Sequence, residues 1–198
     1  MTKLRNWEIA ALVALSISLC VGTWAQNRQS QLAGKLVRLH VIAASDEETE
    51  QEIKLRVRDA VLEYLNPVLS QAKTPEQARR MIENRLEGIA QAAGSASEGR
   101  RVTVSLGKEN YPLREYDGFR LPAGVYDSLK VTLGEGQGHN WWCVVFPPLC
   151  VSAARSDELI AAMGEDDYAL ITGQEGYILK FRLLEIWGEL KRSVRGEV

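Results

Sequence analysis

The residues best suited to chemistry lie in one short stretch, residues 134–150, whose sequence is GEGQGHNWWCVVFPPLC. The stretch combines three glycines, a histidine, two adjacent tryptophans and two of the three cysteines in the chain. These residue types occur in phosphate-binding loops, in thiol or metal sites, and in surfaces that bind other proteins. Each of these sites needs different elements around it, so the sequence can be tested against each.

The alternating glycines Gly134, Gly136 and Gly138 do not fit a phosphate-binding loop. Such a loop leads from a strand into a helix N-terminus, where backbone N–H groups and the helix dipole meet the anion. Here the glycines lead into NWWCVVF, which has the composition of a strand, and no Lys-Ser or Lys-Thr pair follows them. We therefore predict that the glycines form a hairpin connection with residues at positive φ.

Cys143 and Cys150 are candidates for a disulfide. They are seven positions apart, which is roughly 23 Å along an extended strand, so a bond requires the chain to double back. The Pro147-Pro148 pair offers a place for that turn. The bond would contribute about 2.5 kcal/mol by restricting the unfolded chain. Two buried free thiols that pack as small apolar side chains are the alternative.

The residues for a thiol or metal enzyme are sparse. A catalytic cysteine needs a neighbouring histidine, and the chain has only His40 and His139. On a strand, His139 does not meet Cys143 four residues later, and His40 lies within a predicted strand as a structural histidine. Neither the CxxC nor the HxxxH spacing of zinc sites is present. An exported thiol- or metal-dependent enzyme is therefore only the alternative function, and we expect no cofactor.

Trp141 and Trp142 are neighbours on a predicted strand, so their side chains point to opposite faces of the sheet. If one ring packs in the core, the other is directed outward, where a tryptophan is a favourable anchor for a protein partner. A sheet covered on both faces would instead bury both rings. We predict a partner-binding site made of six residues: Gly136, Gly138, His139, Asn140, Trp141 and Trp142.

The N-terminus predicts export. Lys3 and Arg5 precede an apolar run of 17 residues from Ile9 to Ala25, which is the layout of a secretory signal. An uncleaved anchor is also compatible with the run, although roughly 20 apolar residues span a bilayer comfortably. We assign residues 1–25 to a signal peptide or membrane anchor, which makes the only predicted membrane contact. Residues 26–34 form a polar spacer.

Charge and pattern describe the remaining chain, residues 35–198, as a single domain. Beyond residue 25 the chain has 22 basic and 25 acidic residues, and this weakly acidic balance gives no reason to expect nucleic acid. A first strand follows Lys35, and one helix starts at a capping-box pattern formed by Ser45 and Glu48. A second helix extends from Thr74 to Ala93, after which four strand-like segments precede Cys150.

The end of the chain predicts a short helix after Cys150, then a strand that continues into a C-terminal helix. Strands and helices in this order predict an α+β domain with helices covering a largely antiparallel sheet.

Three segments carry a resemblance to a known family: LHVIAASDEETEQEIKLRVRDAVLEYL, LPAGVYDSLKVTLGEGQGHNWWCVVFPPLC and YILKFRLLEIWGELK. Together they resemble stage II sporulation protein R of endospore-forming bacteria, over roughly Lys35 to Lys191. The resemblance implies a signalling protein rather than an enzyme, so it supplies no catalytic residues. It implies export from the forespore into the space between the two septal membranes. There the family activates the sigma-E processing peptidase, a membrane-embedded aspartic protease. A structural envelope protein is the other rival.

Overall fold

The computed structural model describes residues 5–116, 119–150 and 164–172. The helices in these ranges are α1 (Asn6–Gly34), α2 (Glu48–Leu69), α3 (Pro75–Glu83), α4 (Leu86–Ala96) and α5 (Glu165–Thr172). The strands are β1 (Val37–Ile42), β2 (Val102–Tyr111), β3 (Arg114–Tyr116), β4 (Phe119–Leu121), β5 (Gly124–Leu133) and β6 (Asn140–Phe146). The short helix predicted directly after Cys150 and the predicted C-terminal strand and helix lie outside the described residues.

The main sheet has four strands in the order β2-β5-β1-β6, and β3 and β4 form a separate two-stranded sheet. Strand β5 pairs antiparallel with β2, and β6 pairs antiparallel with β1. The central pair, β1 and β5, is parallel. The predicted α+β class with a largely antiparallel sheet is therefore confirmed.

Both faces of the sheet are packed. Alternate apolar residues of β1, β5 and β6 face α2, α3 and α4 and form the first core with them. The opposite face meets the last turn of α1, the β3–β4 sheet, Leu149 and α5, which form a second core. Every residue of β1 is buried. A strand that is covered on both faces must bury all its side chains, including the polar ones.

Of the two predicted helix N-caps, the one at α3 is confirmed and the one at α2 is wrong. Thr74 caps α3 as predicted, because its side-chain oxygen accepts a hydrogen bond from the Gln77 N–H at 3.2 Å. The capping box predicted at Ser45 and Glu48 is wrong. Helix α2 begins at Glu48, and its N-cap residue, Glu47, makes no side-chain cap hydrogen bond.

The predicted helix from Thr74 to Ala93 is two helices. Helix α3 ends at Glu83, and Arg85 adopts φ −127° and ψ 14°, outside the helical region, before α4 begins. Ile82 and Ile89 nevertheless both pack in the first core. The apolar spacing therefore identified the buried positions but did not register the break between them.

Helix α1 extends beyond the apolar run. Residues 26–34, predicted as a polar spacer, are its last turns, and Leu32 and Ala33 are buried in the domain. The part before residue 25 exposes nine large apolar side chains: Trp7, Ile9, Leu12, Val13, Leu15, Ile17, Leu19, Val21 and Trp24. By length and composition, α1 is sufficient to cross a membrane.

Replacing the Thr74 cap should weaken the domain. Thr74→Ala removes the hydrogen bond to the Gln77 N–H and is expected to lower the free energy of unfolding by about 1 kcal/mol in urea titration. Thr49→Ala is the matched control, because Thr49 is exposed in the first turn of α2 and alanine is the better helix former. Equal stability of the Thr74 variant and the wild type would contradict the capping role.

Candidate functional site

The glycine-rich segment, residues 134–139, connects β5 to β6 over the end of β1. Because β1 lies between β5 and β6 in the sheet, the predicted hairpin is wrong and the connection is a crossing over one strand. Gly134 and Gly136 have φ values of 55° and 65°, so positive φ is confirmed for these two glycines but not for Gly138. The sequence predicted the backbone conformation but not the strand order, which depends on distant pairings.

Backbone contacts hold this crossing loop against the segment between β1 and α2. The N–H groups of Gln137 and Gly138 donate to the carbonyls of Ala44 and Ala43 at 3.3 and 3.0 Å. A Cβ atom at Gly138 would lie 2.1 Å from the Ser45 carbonyl oxygen, so only glycine fits there. The loop is therefore fixed by close backbone approach.

His139 is held through its backbone while its side chain stays 76% exposed. The Asp46 carboxylate accepts the His139 backbone N–H at 2.6 Å and contacts its Nδ1 at 2.5 Å. From the other side, Lys54 Nζ donates to the His139 carbonyl at 3.2 Å. The sequence pattern indicates His139 but not Asp46 or Lys54, because contacts across 93 and 85 residues leave no local signal.

Lys54 is a buried ammonium beneath the loop, 6% exposed. Its Nζ also donates to Gln51 Oε1. Burial lowers the pKa of Lys54, and the positive charge of Arg58 lowers it further. The negative charge of Asp46 raises this pKa but does not outweigh burial. The Lys54 side chain thus uses its hydrogen bonds to position the loop rather than to reach solvent.

Trp141 and Trp142 point to opposite faces of the sheet, as predicted, and both are half-buried. Trp141 packs against the first core, and the Arg58 guanidinium lies 4.4 Å from its ring centroid. Trp142 packs against the second core, stacks on His40 and carries the Arg114 guanidinium 3.6 Å from its ring centroid. Neither ring is fully exposed, because elements cover both faces of the sheet. Their part in partner binding stays a prediction.

Asn140 joins the loop to a polar network inside the domain. Its Oδ1 lies 3.0 Å from His40 Nε2, and His40 Nδ1 lies 3.0 Å from Glu109 Oε1. Glu109 also accepts from Ser128 at 2.8 Å and from Lys130 at 3.2 Å. Asn140 itself is exposed. The exposed end of β6 is thereby linked to buried groups of β1, β2 and β5.

The network favours the ionised form of Glu109. Burial opposes ionisation, but hydrogen bonds from Ser128, His40 and Lys130, together with the charge of His40, outweigh it and hold the pKa of Glu109 below its usual value. Burial also raises the pKa of Tyr111, whose hydroxyl lies 2.7 Å from Ser128 Oγ. The tyrosine therefore stays a neutral hydrogen-bonding group.

Arg38 lies on the same face of β1 as His40 and is completely buried. Its guanidinium carbon lies 3.8 Å from the ring centroid of Tyr111 and 4.8 Å from that of Tyr126. Its Nη2 donates a hydrogen bond to the Tyr116 hydroxyl. Within the described part of the chain, its Nε and Nη1 have no hydrogen-bond partner. Aromatic faces thus provide much of the stabilisation of this buried cation.

The groups considered for enzyme chemistry are engaged elsewhere. Cys143 and Cys150 form a disulfide, with their Cα atoms 5.3 Å apart. His40 contacts Glu109 and Asn140, and His139 contacts Asp46. Among residues 5–116, 119–150 and 164–172, no group of three or more His, Cys, Asp or Glu side chains is arranged to hold a metal ion. The geometry instead describes a fixed, partly aromatic surface at one end of the sheet.

Gly138→Ala tests whether close approach fixes the loop. The new methyl group would overlap the Ser45 carbonyl, so we expect a loss of about 1–3 kcal/mol in the free energy of unfolding. Gly94→Ala is the control, because a Cβ there meets nothing within 4 Å and alanine favours the helix by about 0.5–1 kcal/mol. If Gly138→Ala is as stable in urea titration as Gly94→Ala, the loop tolerates displacement and the prediction is wrong.

Glu109→Gln tests the polar network through acid sensitivity. The folded-state pKa of Glu109 is lowered, so its ionised form stabilises the domain above an unfolded pKa of about 4.3, and this stabilisation is lost as the pH falls through the folded pKa. The free energy of unfolding should fall less between neutral and acidic pH for Glu109→Gln than for the wild type. Glu115→Gln, on the exposed surface of β3, should keep the wild-type difference. Parallel behaviour of both variants would contradict the network.

Comparison with known proteins identifies a matching family and a related protein. A family model described as stage II sporulation protein R (spore_II_R) matches residues 33–156, which include β1 to β6 and the crossing loop. A curated relative from Bacillus subtilis (strain 168), named stage II sporulation protein R, is 34% identical over 130 residues. That alignment covers 64% of this chain and 58% of the relative, so the chain spans less than two thirds of the relative's length. No solved structure matches.

Proposed function

Since the chain belongs to the stage II sporulation protein R family, we propose that it is an exported signalling protein of endospore formation. In this proposal it leaves the forespore, enters the space between the septal membranes and activates the sigma-E processing peptidase, a membrane-embedded aspartic protease. The peptidase then removes the pro-sequence of the sigma factor. Activation occurs by binding, and the chain contributes no catalytic group.

The N-terminal helix supports export. The nineteen residues from Ile9 to Asn27 contain no charged side chain, and the large apolar side chains in this part of α1 are exposed. In water such a surface is unfavourable, whereas a translocation channel or a bilayer accommodates it. Lys3 and Arg5 on the short N-terminal flank favour a cytoplasmic N-terminus and an exported domain.

The observation that carries the proposal is the surface formed by the crossing loop and the Trp141-Trp142 pair. His139 and Asn140 are exposed. Asp46 and Lys54 nevertheless hold His139 in place, and His40 holds Asn140. The neighbouring tryptophans are each half-buried and each covered by an arginine. Tryptophan and arginine are among the residue types that dominate protein–protein binding energies.

Co-expression of this chain with the peptidase and its pro-sigma substrate tests the proposal. We expect Trp141→Ala or Trp142→Ala to reduce precursor processing more than tenfold while the domain stays folded, because loss of a central aromatic anchor costs about 2 kcal/mol or more of binding. Melting temperatures measured on the same variants separate binding from stability. The substrate and the peptidase are kept at equal levels throughout.

Tyr64→Ala is the matched control, since Tyr64 is a partly exposed aromatic residue on α2, roughly 15 Å along that helix from Lys54, which contacts the loop. It should leave processing unchanged. Normal processing by both tryptophan variants, or unfolding of both, would remove the recognition role from this surface. Normal processing in the absence of the chain would reject the signalling function altogether.

A further inference from the structure

Helix α1 enters the domain without an intervening linker. Only Gln26 and Asn27 separate the end of the apolar run, Ala25, from Arg28, which already contacts the domain. All of these residues are within one continuous helix, Asn6–Gly34. A helix of this kind transmits orientation, whereas a flexible linker of the same length would not.

Asp167 fastens the last turns of α1 to the domain. This carboxylate lies on α5 and is buried, with Lys35 Nζ at 2.5 Å and Arg28 Nη2 at 3.5 Å. Leu32, in the last turn of α1, is fully buried in the second core. The Asp167 ion pairs and the burial of Leu32 both attach the end of α1 to the domain. The junction is therefore part of the folded domain.

The position of the junction fixes which end of the sheet α1 leaves. Val37, the first residue of β1, pairs with Asp127, and Gln29 lies against Gly124, the first residue of β5. Following α1 backwards therefore leads past the start of β5 and away from the sheet. The crossing loop begins at Gly134, directly after the other end of β5. The ten residues of β5 separate these ends by about 33 Å.

We infer that α1 is retained uncleaved as a rigid membrane stalk that directs the crossing loop away from the bilayer in which α1 lies. This inference rests on the proposed function for the loop's role in binding. Residues 6–25 form about 30 Å of helix, the thickness of a bilayer core. The domain starts within one turn of that segment, so the start of β5 faces the bilayer. A protein that binds the loop must approach from the facing membrane or from the space between the membranes.

Site-specific quenching tests this orientation with the full chain. Cysteines are introduced singly at Val125 and at Gln137, both exposed, in a Cys20→Ser background that keeps the Cys143–Cys150 disulfide. Each protein is labelled with a fluorophore and inserted into vesicles of phosphatidylethanolamine and phosphatidylglycerol, with or without nitroxide-headgroup lipid. Nitroxide should reduce emission at least twofold for the label at residue 125 and leave emission at residue 137 unchanged. Equal quenching, or stronger quenching at residue 137, would overturn the inference.

A helix-break variant tests the rigid connection separately. Six Gly and Ser residues inserted between Gln26 and Asn27 leave the Asp167 contacts in place but free the domain to rotate. The difference in quenching between the two labels should then shrink. An unchanged difference would mean that α1 does not set the orientation. Neither measurement uses the peptidase, so these results and the processing assay with the tryptophan variants can fail independently.

Discussion

The pairing of β1 on both of its edges is the constraint on which the rest of the structure depends. Its parallel pairing with β5 requires a long connection, and α2, α3, α4, β2, β3 and β4 lie between the two strands in sequence. Its antiparallel pairing with β6 occupies the other edge. The chain leaving β5 must therefore pass over the end of β1 to reach β6. The glycines lie at this crossing, where Gly138 approaches the Ser45 carbonyl too closely for a side chain.

Burial of β1 on both faces also creates the polar interior. Arg38 and His40 alternate with apolar residues that face the helices, so both must point into the second core. A buried charged or polar group without a partner is destabilising. His40 is compensated by Glu109 and Asn140, and Arg38 by the faces and hydroxyl of surrounding tyrosines. Removal of one member of such a network leaves its partners unsatisfied, which costs more than the individual hydrogen bond.

The sequence predicted the features that depend on neighbouring residues. The Thr74 cap, the apolar faces of α2, α3 and α4, the opposite directions of Trp141 and Trp142 and the α+β class all follow from local patterns. The order of strands did not, since pairing of β1 with β5 joins residues about 90 positions apart. The Ser45 prediction failed for a related reason. The Ser45 carbonyl accepts from Gln51 and lies against Gly138, so tertiary contacts decide where α2 begins.

The same distinction applies to the candidate site. Composition identified His139, Asn140 and the tryptophans, but the residues that hold them come from β1, α2 and the segment between these elements, and they have ordinary local patterns. Among these, Lys54 resembled any charged residue on a solvated helix face until the fold placed it under the loop.

A protein that acts only by binding depends on how little freedom its surface loses when the partner arrives. Asp46, Lys54 and the close approach of Gly138 already restrict the crossing loop, so the conformational entropy cost of binding is reduced. The docked end of α1 applies the same principle to the whole domain, because Arg28 and Lys35 are held by Asp167. In the inferred orientation, a membrane stalk of fixed direction removes rotational freedom before binding. In the proposed function, the restricted loop and the restricted domain therefore favour the same encounter, in which one end of the sheet meets a partner across the intervening space.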